Sequence, residues 1–186
     1  MQDEQRSVVR NAFNKETFIF SGTDDPEVAR FDVILGKGGS GGGNALVHVH
    51  PFAEERFVVR TGRIKVVVEG REQLVGPGQE AVVPRGKPHF FMNAWDGDTE
   101  LTVEFRPPQQ HLLFFYNFAR LTADRPEWFS KQGDPKFLLI AATLGRFKDH
   151  IYLARPPIVV QKILFAVLAP VARRLGYDFE LKPVHG

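Results

Sequence analysis

His48-Val49-His50-Pro51-Phe52-Ala53-Glu54-Glu55 is the stretch whose reading decides the fold. Five residues separate Gly42 from His48, and six separate Glu55 from Gly62. A second spaced set follows: Gly78, five residues, Pro84-Arg85-Gly86, two residues, His89, three residues, Asn93. In an extended strand, residues two apart point to the same face, so His48 and His50 offer two imidazoles to one point while Val47 and Val49 face the other way. A strand carrying Glu55 adds a carboxylate, and a later strand carrying His89 adds a third imidazole. Three neutral nitrogens and one anionic oxygen suit a borderline divalent cation: Fe(II), Mn, Co, Ni, Cu or Zn. Calcium, which takes an all-oxygen cage, does not match this donor set. Glu54 is the competing carboxylate, but alternation turns it to the opposite face, and only Glu55 has the six-residue spacing to Gly62.

The residues between the ligand candidates read as tight corners. Gly62 lets the chain turn before the run Ile64-Lys65-Val66-Val67-Val68-Glu69, and Gly70 sits at the next reversal. Val75-Gly76-Pro77-Gly78 is another turn. Pro84-Arg85-Gly86-Lys87-Pro88 is a third and delivers His89 at a strand start. An HxH pair alone on a strand is ordinary surface or core; with Glu55 and His89 at matching positions the metal reading takes precedence.

Both segments resemble, position by position, the two motifs of the cupin superfamily, the small jelly-roll or double-stranded β-helix barrels. The first motif of that family reads G, five, HxH, three or four, E, six, G; the second reads G, five, PxG, two, H, three, N. The fifteen residues between Gly62 and Gly78 are the short spacing common in microbial members, and the resemblance covers about residues 28 to 106. It implies a mainly β fold with His48, His50, Glu55 and His89 as metal ligands, and Asn93 as a motif residue lining the same region. With Phe57 and Phe91, Asn93 is expected to line the pocket. A reaction does not follow from the fold, because one fold hosts many functions.

At 186 residues, 43% hydrophobic and 12% aromatic, the chain can bury one good core and a modest second element. Seventeen phenylalanines imply large apolar surfaces to cover. The 24 basic and 22 acidic residues are spread along the chain and leave a formal net charge of +2, which argues against nucleic-acid binding. With no cysteine, disulfides and thiolate metal sites are excluded. The polar start Met1-Gln2-Asp3-Glu4-Gln5-Arg6 has no apolar stretch behind it, so a cytoplasmic protein is expected.

Strands are expected at Thr17 to Phe20, Val28 to Leu35, Ala45 to His50, Glu55 to Thr61, Arg63 to Glu69, Glu80 to Pro84, His89 to Asn93 and Leu101 to Phe105. The glycine-rich run from Gly36 to Gly43 reads as a mobile loop, because the Gly-Lys-Ser/Thr ending of a phosphate loop is absent and a strand follows. After Arg106-Pro107-Pro108 the periodicity shifts from two to about 3.6. The chain therefore divides into a barrel with N-terminal strands, residues 1–108, and a C-terminal helical extension, residues 109–186. Helices are expected at His111 to Leu121, apolar on nearly every side, at Phe137 to Leu144, and at about Ile158 to Leu175. The last carries Val160, Ile163, Leu164, Val167, Leu168, Val171 and Leu175 on one stripe. That stripe is expected to cover outward-facing barrel residues such as Val47, Val49, Val58, Phe90 and Met92, or to lie across a homodimer interface. Membrane attachment is the less favoured use: the longest apolar stretch is shorter than the ~20 residues that span a bilayer and contains Pro170.

His111, His150 and His185 lie outside the motifs and read as structural or surface histidines, and Trp95 and Trp128 as packing residues. Four protein ligands on a six-coordinate ion leave two neighbouring positions for water, a bidentate substrate or O2. Members of the family it resembles that carry three histidines and a glutamate include dioxygenases, isomerases, decarboxylases and pure binders, and from that resemblance the leading expectation is a metal-dependent, dioxygenase-like oxidoreductase acting on a small organic, aromatic or enol-type molecule. A non-catalytic ligand-binding barrel and a metal-dependent isomerase are the alternatives. No base for proton transfer stands out near the motifs apart from Glu55 itself.

Overall fold

The computed structural model describes residues 6–21, 25–40 and 46–184. Gly42, the first motif glycine, and His185 lie outside the described residues. Among the described residues, the strands are β1 (Ser7–Asn11), β2 (Glu16–Phe20), β3 (Ala29–Leu35), β4 (His48–Val49), β5 (Glu54–Thr61), β6 (Ile64–Val68), β7 (Arg71–Val75), β8 (Glu80–Val83), β9 (His89–Asn93), β10 (Thr99–Arg106) and β11 (Tyr152–Leu153). The helices are α1 (His111–Asp124), α2 (Phe137–Arg146) and α3 (Ile158–Arg174). The strands form two antiparallel sheets, one of six strands in the order β1-β2-β3-β10-β5-β8 and one of five in the order β11-β4-β9-β6-β7.

Strict alternation builds the central strands. In β5, Glu55, Phe57 and Val59 are buried between half-exposed neighbours; in β10, Thr99, Leu101, Val103 and Phe105 are. The buried side chains meet Phe18, Phe20, Phe31, Val33, Ile64, Val66 and Phe91 in one core between the sheets. Burying each large side chain contributes about 1.5–3 kcal/mol. On the outer face of the six-stranded sheet, charge takes the place of apolar cover. Arg56 pairs with Glu80 and Glu104, Arg60 with Asp32, and Arg30 with Glu104.

β1, β7 and β11 were not legible as strands. β7 is the free edge of its sheet and exposes Arg71, Glu72, Gln73 and Leu74, so it shows no buried face in the sequence pattern. β11 has two residues and exists because it pairs with β4. The first half of the glycine-rich run is held by its neighbours: Asn93 donates to the Gly36 carbonyl (2.9 Å) and to the Gly39 carbonyl from its backbone (3.2 Å).

The helices cover different partners. α1 packs on the barrel, where Leu112, Phe115 and Tyr116 join the core, and Phe115 sits 5.0 Å from Phe31 between ring centroids. α3 packs on α2 with Gln161, Phe165, Ala169 and Ala172 buried, whereas Val160, Ile163, Val167, Val171 and Leu175 of the expected docking stripe are 42–65% exposed. Two features turn the helix this way. A side chain at Gly145 would meet the Ala169 methyl at 2.8 Å, so small residues bring the helices close. Gln161, polar by composition, is fully buried because its amide accepts from the Leu153 N–H (3.1 Å) and donates to the Leu153 and Pro156 carbonyls (2.7 and 2.6 Å). Of the residues expected to face outward beneath the helices, Val49 is buried, Val58, Phe90 and Met92 are half-buried and Val47 is exposed.

Gly62 and Gly86 both adopt positive φ, +77° and +74°, but only Gly62 is crowded: a Cβ there would lie 2.2 Å from Thr99 Oγ1 and 2.8 Å from Thr99 Cα, while Gly86 has open space. Thr99 cannot yield freely, since its hydroxyl bonds Asn93 Oδ1 (2.9 Å) and accepts from the Arg63 N–H (3.0 Å). Gly86→Ala should therefore cost about 1–2 kcal/mol of stability from backbone strain alone, and Gly62→Ala about 3 kcal/mol or more, in urea unfolding. Equal costs would rule out the Thr99 contact as the reason for glycine at position 62.

Candidate metal centre

His48 and His89 are directly paired residues of neighbouring strands, β4 and β9, and His50 follows β4 on the same side. Glu55 comes from the opposite sheet, where it pairs with Val83 of β8 and Phe105 of β10. The four side chains meet between the sheets, each offering one ligand atom, with all four atoms within 4.8 Å of one another. His48 is 9% exposed, His50 2%, and Glu55 and His89 1% each. Glu54, one residue away, is half-exposed, as alternation predicts.

The outer nitrogen of every imidazole is tied to a backbone carbonyl. His48 Nδ1 lies 3.0 Å from Leu46 O, His50 Nδ1 2.8 Å from His150 O, and His89 Nδ1 2.8 Å from Lys87 O. A carbonyl only accepts, so each Nδ1 carries the proton and each Nε2 is the atom turned toward the other ligands; this assignment follows from the hydrogen bonds. That tautomer leaves a lone pair for a metal, and a carbonyl behind each ring fixes its direction. His50 Nε2 is buried and has no hydrogen-bond partner among the described residues, and it stands 3.6 Å from Glu55 Oε2, too far to bond it. A buried ring nitrogen without a partner is costly unless something else occupies the space it faces. The donor set and this orphaned atom together fit a divalent metal ion, which His48, His50, Glu55 and His89 could hold.

Burial sets the charge states. It lowers the pKa of His48 to about 4, with the neighbouring His89 adding to the effect and Glu55 opposing it. Burial also holds His50 well below the usual imidazole range, reinforced by His48, His111 and His89. His89 is the exception. Burial works to lower its pKa, but the hydrogen bond and charge of Glu55, whose Oε2 lies 2.6 Å from His89 Nε2, outweigh it and raise the value. The hydrogen bond between His89 Nε2 and Glu55 Oε2 thus lies where a cation held by both residues would sit.

Two contributors were missed by the sequence reading. His111, the first residue of α1, is 1% exposed, stacks on Phe105 at 4.0 Å and places Nε2 3.3 Å from His50 Nδ1. Burial lowers its pKa to about 4. A histidine opening an otherwise apolar, fully packed helix was the available signal. His150 contributes its carbonyl to His50, which no side-chain motif can reveal.

A cavity of about 90 Å³ opens against His48 and Glu55 and is lined mainly by apolar side chains. Phe91 is on its wall. Phe57 and Asn93 do not line it: Phe57 is fully buried behind Phe91, 4.8 Å between ring centroids, and the Asn93 amide donates to the carbonyls of Leu35, Gly36 and Gly97 at 2.9–3.0 Å. Asn93 thus organises the loops beside the barrel. Glu16, a fully buried carboxylate of β2, is on the cavity wall and accepts from Ser40 Oγ (2.5 Å) and Asn11 Nδ2 (3.3 Å). No helix among the described residues is long and apolar enough to cross a membrane.

Comparison with known proteins agrees on the barrel. Residues 32–105 match the family described as Cupin domain. A stretch of 66 residues is 33% identical to Endoribonuclease YbeY of Myxococcus xanthus (strain DK1622), covering 33% of this chain and 22% of that protein, so the chain spans about a fifth of the length of the curated relative it matches. Among solved structures, KdgF from Halomonas sp. superposes with a TM-score of 0.49 at 20% identity, over 60% of this chain and 96% of that one. An RmlC-like cupin from Shewanella frigidimarina gives 0.48 at 20% identity, over 60% and 93%. A sugar phosphate isomerase from a cupin superfamily, from Silicibacter pomeroyi, gives 0.46 at 20% identity, over 57% and 73%. Residues 32–105, the part of the chain that matches the cupin domain, form the jelly-roll barrel and carry all four converging side chains.

Proposed function

We propose that this protein is a metal-dependent enzyme acting on a small, largely apolar organic substrate, with His48, His50, Glu55 and His89 as ligands of a divalent transition metal and an oxygenase-type oxidation as its reaction. The observation that carries this reading is the orphaned Nε2 of His50 beside Glu55, in a cluster whose three Nδ1 atoms are all held by carbonyls. Held by these four residues, an ion of the iron, manganese, nickel, copper or cobalt type would supply a Lewis-acid centre for a substrate oxygen pair or for O2. Phe31, Phe91 and Val103 keep the cavity wall beside it dry. Phe114 and Phe115 of α1 supply aromatic faces that orient an apolar or aromatic substrate.

Glu16 favours a second reading, proton transfer of the isomerase kind. A carboxylate on the wall of the same cavity can hold or take a proton from a substrate carbon, the role for which the sequence offered no candidate. The two readings separate in one assay set. Oxidation consumes O2 with turnover. Proton transfer instead incorporates solvent deuterium without O2 uptake, and Glu16→Gln abolishes it with metal content unchanged. Saturable binding with neither signal would leave a binding module.

Elemental mass spectrometry on protein purified without added metal should find near-stoichiometric transition metal, lost by at least about 100-fold in affinity in His48→Ala or His89→Ala. Absence of metal even after reconstitution would overturn the metal reading. Metal uptake should also displace the hydrogen bond between His89 Nε2 and Glu55 Oε2 and release its proton, measured by calorimetry in buffers of different ionisation enthalpy. No buffer dependence would contradict displacement of that bond by the ion.

Stability of the metal-free protein should fall on acidification. His48 and His111 titrate at about 4 when folded against 6.5 when unfolded, so the unfolded chain takes up protons first as pH drops. Their contribution is complete above about 6.5 and is lost on the way down to about 4. His50 acts in the same direction. His89, with its raised value, acts oppositely, favouring the fold at low pH and losing that contribution as pH rises through its folded pKa. Three groups against one predict a melting temperature that drops by several degrees between about pH 7 and pH 4.5. A flat profile would contradict the buried neutral imidazoles.

A further inference from the structure

The cavity at the candidate metal centre does not end at the barrel. Beyond Phe31, Phe91 and Val103 its wall continues into the helical extension, through Phe118 of α1, Ile140 and Leu144 of α2, and Ile151 ahead of β11. It therefore has an inner end at His48 and Glu55 and an outer lobe between α1 and α2. The residues that α1 and α2 contribute to the lining are apolar with one exception. Thr143 of α2 is 2% exposed, lines the cavity, and its hydroxyl has no hydrogen-bond partner among the described residues. A helical threonine ordinarily returns its hydroxyl to a carbonyl one turn back. Here that bond is not made, and a buried unpaired hydroxyl is destabilising unless something in the cavity satisfies it.

The size constrains the occupant. About 90 Å³ corresponds to roughly six to nine waters, hence to a ligand with on the order of ten non-hydrogen atoms. A hydrated charge cannot be accommodated along walls of phenylalanine, leucine and isoleucine without a large desolvation cost, so the middle of the ligand is uncharged and apolar.

We infer that the substrate is a small amphiphile: an oxygen-bearing head at the metal end, an apolar body of about six to eight carbons in the lobe between α1 and α2, and a polar end group that bonds Thr143. The assignment of the head rests on the metal reading proposed above; that of the lobe and of Thr143 does not. Thr143 is a specificity residue in this scheme, and the helical extension is the part of the chain that measures substrate length.

The test uses three hydroxamic acids, whose head chelates metals: acetohydroxamate, octanohydroxamate and 8-hydroxyoctanohydroxamate. Each is titrated calorimetrically into the full chain with and without loaded metal. Octanohydroxamate should bind at least 30-fold tighter than acetohydroxamate in both forms, since each buried methylene contributes about 0.8 kcal/mol. The terminal hydroxyl should add a further gain of about fivefold that disappears in Thr143→Val, a variant of the same shape. Ile140→Trp, which fills the lobe, should remove the length advantage; should that variant fail to fold, judged by circular dichroism, Ile140→Ala should change the chain length preferred. Equal affinities for the short and long probes in the metal-free protein would overturn the lobe. A terminal hydroxyl that gives no gain, or a gain that survives in Thr143→Val, would overturn the role of Thr143. If no metal loads but the length advantage persists, the metal reading and the head assignment fail, and the lobe stands.

Discussion

Three backbone carbonyls, those of Leu46, Lys87 and His150, hold the imidazoles of His48, His89 and His50 by their outer nitrogens, and the centre depends on those bonds. Without them, each ring could rotate about its side-chain bonds and carry its proton on either nitrogen. With them, all three Nε2 atoms converge, and burial keeps His48 and His50 uncharged. Two of the carbonyls come from residues two positions before the histidine they hold, so strand entry itself sets the ring direction. The third comes from the far end of the chain.

That asymmetry explains how much could be read in advance. His48, His50, Glu55 and His89 are separated by short, regular spacings, and alternation alone decides between Glu54 and Glu55; the structure brings those four residues together. The central strands were legible because one face is buried and the other is not. Edge strands such as β7 carry no such contrast. Glu16 and the His150 carbonyl reach the centre or its cavity through tertiary packing and nothing local marks them, while His111 is marked only as the polar start of an apolar helix. Asn93 shows a different limit. Its position in the motif was plain, but its amide is used up on three loop carbonyls, which only coordinates can reveal.

The helical extension was the least legible part. A hydrophobic stripe drawn on α3 treats Gln161 as a surface residue, whereas three hydrogen bonds to the chain around β11 pull it inside and rotate the helix with it. Satisfied polar groups thus outweigh the apolar pattern, and Gly145 against Ala169 supplies the close approach that makes the rotated packing possible. Val160, Ile163 and Val167 remain outside as a result. α1 behaves in the opposite way: its nearly continuous apolar surface meets the barrel on one side and α2 on the other, as its composition requires.

The bond between His50 and the His150 carbonyl joins residues 100 positions apart, while His48 and His89 lean on carbonyls only two positions away. The centre is therefore assembled from contacts of very different loop length, and the longest carries the largest closure entropy. During synthesis, both cupin motifs leave the ribosome well before residue 150 does. The barrel can orient His48 and His89 and bring in Glu55 at that stage, but His50 acquires its final orientation only after the chain has run through α2 and returned to lay β11 along β4. Completion of the centre thus reports that the C-terminal half has been made and docked.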